Sequence, residues 1–279
     1  MARRWPAPFL WRILILCLIP AAGAAGEAQN AFKEGVQFYQ AGKFKEAVGA
    51  FTRAVKAAPR SAEAYNNRGL AYFKLGQIDS AIKDYDQAIQ LNPKLPDAFF
   101  NRGNAHLAEK RFDRAVKDFD QVIKNEPGAG RAYRQRGLAF NNLKQFDKAI
   151  GDFNQAVKLD ARDAEVYYQR GIAYRRLGKN ELAVENFTDA LKLEPKNAES
   201  YNNRANAYSL LGKYSEAIKD YDEAIRLDGK NGKIYANRGV IRARLGNTDD
   251  AHKDFIKAMN LDPSLKDMIE PLIMKIKTK

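Results

Sequence analysis

Six arginines, Arg68, Arg102, Arg136, Arg170, Arg204 and Arg238, follow one another at intervals of 34 residues. Asp84, Asp118, Asp152, Asp220 and Asp254 keep the same frame, with Asn186 where the series skips a carboxylate. A guanidinium presents a planar fork of donors that fits a carboxylate through two parallel hydrogen bonds. Either the arginines form a ladder that grips ligand carboxylates or phosphates, or they pair with the aspartates inside the fold. Pairing is favoured, because the segment ahead of Arg68 carries Glu34 at the arginine position and also lacks the aspartate, with Ala50 there.

A second series is made of carboxamides: Asn66, Asn67, Asn101, Asn104, Gln135, Asn141, Asn142, Gln169, Asn202, Asn203, Asn206 and Asn237. Each amide both donates and accepts hydrogen bonds. A ladder of them, one period apart, can pair with the backbone of an extended peptide with little regard to its side chains. Arg131, Arg134, Arg175 and Arg176 stand among them and suit acidic groups, while Phe73, Phe100 and Tyr168 offer apolar contact. The expected ligand is an extended segment carrying acidic groups.

Catalytic chemistry finds little support. The two histidines, His106 and His252, stand more than four periods apart, and His106 occupies a position that is aromatic in other copies. Cys17 is the only cysteine. No phosphate loop, calcium loop or zinc-ligand spacing occurs. Asp84 with Asp86, Asp118 with Asp120 and Asp220 with Asp222 are two apart and diverge on a helix. The chain therefore reads as a non-enzyme with no cofactor and no metal.

The elements that must carry these residues come from the same period. Ala47, Ala81, Ala115, Ala149, Ala183, Ala217 and Ala251 are each 34 residues apart, and seven copies fill Ala28 to Leu265 without insertion. A period of this size signals stacked supersecondary repeats. Within a copy, apolar or small residues at positions 4, 8 and 11, and again at 17, 20, 24 and 27, mark one stripe on each of two helices. Position 15 is Gly42, Gly76, Gly178, Gly212 or Gly246, a helix-ending signal, with Lys110 and Lys144 in the other two copies. Asp79, Asp113, Asp147, Ser215 and Asp249 at position 18 are expected to cap the second helix. Prolines near position 32 stop it. One such pair cannot cover its own stripe and must stack on neighbours.

Tyr65, Gly69, Tyr72, Gly76, Ala81, Tyr85, Ala88 and Pro93 of the second copy resemble the tetratricopeptide repeat family, and the match recurs over residues 28–265. The resemblance implies an all-α fold, a right-handed α-α superhelical solenoid of seven helix-turn-helix repeats. It also implies that the first helices line a concave groove for peptides or protein segments. Positions 2, 5, 6, 9, 12 and 13, which hold the amides and the four arginines, are expected to be exposed on that groove. The Lys, Asn and Lys/Arg set of chaperone-binding members is not found in any three consecutive copies. Leu265, Met268, Ile269, Leu272, Ile273 and Ile276 follow helical spacing, so residues 266–279 are expected to form a capping helix, kinked or split at Pro271.

Residues 1–26 are of another kind. Arg3, Arg4 and Arg12 precede and enter an apolar run that ends in small residues, the order of a secretory signal, with cleavage after Ala24 or Gly26. Export, most simply to the periplasm, is the expectation, and retention as an uncleaved membrane anchor is the alternative. The chain has 47 Lys and Arg against 34 Asp and Glu, a net charge of +13, which favours anionic partners. A nucleic-acid partner needs a continuous basic groove and a cytosolic chain. Glu63, Asp97, Glu165 and Glu199 in the groove positions, together with the signal, oppose it. The sequence therefore points to a protein- or peptide-binding adaptor of the cell envelope.

Overall fold

The computed structural model describes residues 24–277. The signal-like segment lies almost wholly outside them. All regular structure among the described residues is helical, in two compact units, one ending at Asn101 and one beginning at Arg102. The first holds α1 (Ala24–Gln40), α2 (Phe44–Ala57), α3 (Ala62–Lys74), α4 (Ile78–Leu91) and the start of α5 (Pro96–Ala108). The second holds the rest of α5, then α6 (Phe112–Asn125), α7 (Gly130–Asn142), α8 (Phe146–Leu159), α9 (Ala164–Arg176) and α10 (Asn180–Leu193). It continues with α11 (Ala198–Leu210), α12 (Tyr214–Leu227), α13 (Gly232–Arg244), α14 (Thr248–Leu261) and α15 (Lys266–Lys277). Within each unit the helices pack in sequence order as the hairpins of a solenoid. α1 begins four residues ahead of the repeat frame.

The hairpins close over small residues. Ala149, Phe153 and Ala156 of α8 are buried against Tyr133 and Phe140 of α7. A Cβ added to Gly137 would stand 2.7 Å from the Phe153 ring, so a larger residue there forces the pair apart. Ala205 fills the equivalent place in α11, opposite Tyr221.

The arginine series is structural: Arg102 bonds Asp118 of its own hairpin, and Arg68, Arg136, Arg170, Arg204 and Arg238 each tie two hairpins. Arg136 donates from Nε and Nη2 to both oxygens of Asp152, at 2.8 and 2.7 Å, which joins α7 to α8. Its Nη1 reaches back to Asp120 of α6 at 2.6 Å. Its guanidinium lies over the rings of Tyr133 and Phe140, which exclude water from the pair. Arg204 and Arg238 repeat the arrangement with Asp220 and Asp254, reaching back to Thr188 and Asp222. Arg68 does the same in the first unit with Asp84 and Thr52. In α9 both carboxylates are replaced, and Arg170 bonds Asn186 and Asn154. In the first repeat Glu34 instead pairs with Arg53.

Two expectations change. Second helices start at position 17, two residues earlier than a position-18 cap requires, and the residues before them cap without a side-chain bond. Asp79, Asp113 and Asp147 lie inside the first turn, where their charge faces the positive helix end. The first helices carry the side-chain caps instead: Ser61, Asp163 and Asn197 accept from Ala64, Val166 and Ser200 amides. Lys110 and Lys144 adopt the left-handed turn of the glycines, with φ of 57° and 60°. α15 is one helix through Pro271 and is therefore not split there. Ile269 is buried in the core of the last hairpin, with Leu272 and Ile273 beside it, so packing on both sides of the ring outweighs one lost backbone bond.

Arg136→Ala is expected to lower unfolding free energy by about 3 kcal/mol, because Asp152 is left buried without its partner. Chemical denaturation measures it, and an unchanged midpoint would contradict the clamp. Lys144→Gly is expected to act in the other direction, by about 0.5–1 kcal/mol, since glycine adopts positive φ without steric cost. A thermal melt no higher than that of the parent would refute that strain.

Candidate peptide-binding surface

The candidate surface is built from the first helices of the repeats. In the first unit, Asn66 of α3 is buried, contrary to expectation, and accepts from Asn101 Nδ2 at 2.9 Å. Asn67 Nδ2 donates to the Glu63 carbonyl of its own helix. Phe73 and Phe100 are half-buried.

The second unit carries the longer series. Gln135, expected to be exposed, is also buried, and its Nε2 donates to Asn104 Oδ1 at 2.8 Å. Asn141 donates to the backbone and side-chain oxygens of Gln169, and Gln169 donates to Glu165. Asn203 donates to the Tyr168 hydroxyl at 3.1 Å and to the Glu199 carbonyl. Asn237 reaches Asn202 Oδ1 at 3.3 Å. The amides thus bond one first helix to the next, a role that reading each helix alone did not reveal. A residue on the outer arc of an isolated helix is covered when the next repeat stacks beside it. Asn104, Gln169, Asn202, Asn203, Asn206 and Asn237 remain half-buried on this face.

The arginines also divide. Arg131 and Arg176 are exposed. Arg134 pairs with Asp163, the residue that caps α9, at 2.8 Å, so it does not stand open as expected. Arg175 is half-buried. Its Nη2 donates to Asn203 Oδ1 at 3.4 Å, and its Nε is sealed from solvent without a hydrogen-bond partner. Burial, and then the charge of Arg176, lower its pKa from the usual arginine value. Tyr221, which the sequence reading did not include, donates its hydroxyl to Asn206 Oδ1 at 2.7 Å. The same repeat position is phenylalanine in five copies and tyrosine only at 85 and 221, so the extra hydroxyl was the available signal. No group of three His, Cys, Asp or Glu among the described residues could hold a metal ion.

His106 is buried at the side of the Arg102–Asp118 pair, with Nε2 3.9 Å from Asp118 Oδ2. The same position in α13 holds Arg242, which bonds Asp254 directly. These two polar residues stand where α7 and α11 have the rings of Phe140 and Tyr208.

Stacked helical hairpins with a polar, arginine-bearing face define a scaffold for protein interaction. TPR repeat models match residues 35–76, 69–109 and 172–212, and tetratricopeptide repeat models match 100–164, 198–231 and 232–265. The chain belongs to the tetratricopeptide repeat family. Among solved structures it is similar to a tetratricopeptide repeat protein from Parabacteroides merdae ATCC 43184, with 19% identity, 91% of this chain and 100% of that chain covered, and a TM-score of 0.65. It is also similar to YrrB, described as a TPR protein with an unusual peptide-binding site, at 22% identity over 64% of this chain and 93% of that one, TM-score 0.58. MamA from Desulfovibrio magneticus RS-1 aligns at 24% identity over 61% and 96%, TM-score 0.58. No curated protein matches the chain.

Burial outweighs the nearby Asp118 and lowers the pKa of His106 from its ordinary 6.5. The unfolded chain therefore binds the proton first as pH falls below that value, and the folded state loses stability over that window. His106→Phe is expected to flatten the fall in melting temperature between about pH 7 and pH 5. Parallel pH profiles for parent and variant would contradict it.

Proposed function

We propose that this protein is a non-enzymatic adaptor of the cell envelope that binds extended, partly acidic protein segments on the first-helix face of its repeats. The observation that carries the reading is the face of α9 and α11. It combines an exposed Arg176, a half-buried Arg175 without a carboxylate partner, and the amides of Asn202, Asn203 and Asn206. Tyr168 adds an aromatic surface beside them, its ring 5.9 Å from that of Phe187. Such a face offers cations and adaptable amides to a flexible acidic chain. The basic excess of the whole protein would speed encounter with such a partner.

Export rests on the order of basic, apolar and small residues over positions 1–26. Periplasmic release and retention by an uncleaved segment are its two forms. Among the described residues no helix is long and apolar enough to cross a membrane. Nucleic acid is the less favoured ligand, because Glu63, Glu165 and Glu199 stand exposed on first helices.

The test is fluorescence anisotropy with an unstructured dodecapeptide of alternating Ser and Glu, acetylated and amidated at its ends. Saturable binding is expected, weakened about tenfold by Arg176→Glu, a change of roughly 1.4 kcal/mol. No saturable binding, or equal binding by that variant, would overturn the peptide reading. Fractionation of a tagged full-length chain tests location separately. Recovery from the cytosol with residues 1–26 intact would end the envelope assignment.

A further inference from the structure

Several half-buried arginines in the second unit have a carboxylate of their own. Arg136, Arg204, Arg238 and Arg134 bond Asp152, Asp220, Asp254 and Asp163. Arg175 does not. It projects from the last turn of α9 towards α11, where it finds only the Asn203 carboxamide oxygen at 3.4 Å. Its Nε is closed to solvent and unbonded. Arg176 follows it directly and adds a second positive charge. A basic residue in a last helical turn complements the helix dipole, which suffices to explain exposed Arg176. It does not explain a half-buried guanidinium whose terminal nitrogens meet only a neutral amide oxygen at 3.4 Å.

The surroundings are arranged for an anion. Asn206 on α11 accepts the Tyr221 hydroxyl through Oδ1, which fixes its amide and leaves Nδ2 as a donor. Tyr221 itself is buried and lies within electrostatic range of Arg175. Asn203 commits its Nδ2 to Tyr168 and to the Glu199 backbone, which orients its oxygen toward Arg175. Polar groups held in place by their neighbours lose little freedom on binding.

We propose that Arg175, with Arg176 and the Asn206 amide, forms a carboxylate-binding subsite that reads one acidic side chain of the bound segment. The terminal nitrogens of Arg175, Nη1 and Nη2, meet the two carboxylate oxygens, Arg176 contributes charge from the exposed side, and Asn206 donates the further hydrogen bond. The inference rests on the peptide-binding reading and deepens it, because it separates one glutamate or aspartate from the general attraction of a basic surface. Arg134 has no part in it, being held by Asp163.

The test compares three dodecapeptides by anisotropy: alternating Ser-Glu with blocked ends, Ser-Gln with blocked ends, and Ser-Gln with a free C-terminal carboxylate. The parent protein is expected to bind Ser-Glu at least about tenfold more tightly than blocked Ser-Gln. Arg175→Gln should abolish that preference, and Arg175→Lys should keep only part of it, since an ammonium lacks the fork. Arg114→Gln, an exposed arginine on α6, removes the same charge elsewhere and should preserve the preference. The melting temperature of Arg175→Gln should be equal to or above that of the parent, because no carboxylate is stranded; a fall would mark Arg175 as structural and overturn the subsite.

Equal binding of Ser-Glu and blocked Ser-Gln by the parent would refute the subsite while leaving the peptide surface intact. Failure of all three peptides to bind would remove both. An equal loss in Arg114→Gln would reduce the preference to net charge and also refute the subsite. Preference for the free C-terminus over Ser-Glu would assign the site to a terminal carboxylate and refute the side-chain source.

Discussion

The structure depends on a half-buried guanidinium whose donors must be met by acceptor oxygens on the helices beside it. At position 7 of the repeats the arginine sits where its helix meets both its own partner and the preceding hairpin. Arg136 shows the full arrangement, with Asp152 across the hairpin and Asp120 across the stack. Rings at positions 4 and 11 flank it and keep water away. Hydrophobic closure over alanine and phenylalanine supplies the driving force for stacking, but apolar contact alone is tolerant of sliding. A bidentate pair with one geometry fixes how far one helix may shift along another.

That fixed stacking determines what the first helices can offer a partner. Each brings its outer arc against the next, and the amides at positions 5, 6 and 9 then face one another. Asn66 with Asn101 and Gln135 with Asn104 spend hydrogen-bonding capacity on the fold. The remaining capacity is concentrated where the arrangement is less self-satisfied, around Arg175, Asn203 and Asn206. α9 is also the helix in which the arginine clamp has lost its acids, Arg170 bonding Asn186 and Asn154. The same repeat therefore holds two arginines, Arg170 and Arg175, whose hydrogen bonds go to amide oxygens and not to carboxylates.

Much of the fold was legible because its determinants recur. The 34-residue frame gave the helix pairs, and the joint absence of arginine and aspartate around Glu34 and Ala50 disclosed the pairing. What the sequence did not disclose depended on geometry between repeats. Asn66 and Gln135 looked exposed because a helical wheel describes one helix, whereas their burial comes from its neighbour. Asp163 is both the cap of α9 and the partner of Arg134, a contact 29 residues apart in sequence that no pattern within one helix reveals. Position 18 looked like a cap because aspartate is common there, but the helix had already begun with the preceding apolar residue. Lys144 adopts positive φ because the turn is dictated by the hairpins on both sides, not by the residue in it.

The clamp is tested most directly by a double-mutant cycle on Arg136→Gln and Asp152→Asn, read as unfolding free energies in denaturant. The account predicts strong coupling, about 2 kcal/mol, because each single change strands a partner that the double change removes. Additivity of the two changes within about 0.4 kcal/mol would contradict it and leave the stacking to apolar contact alone.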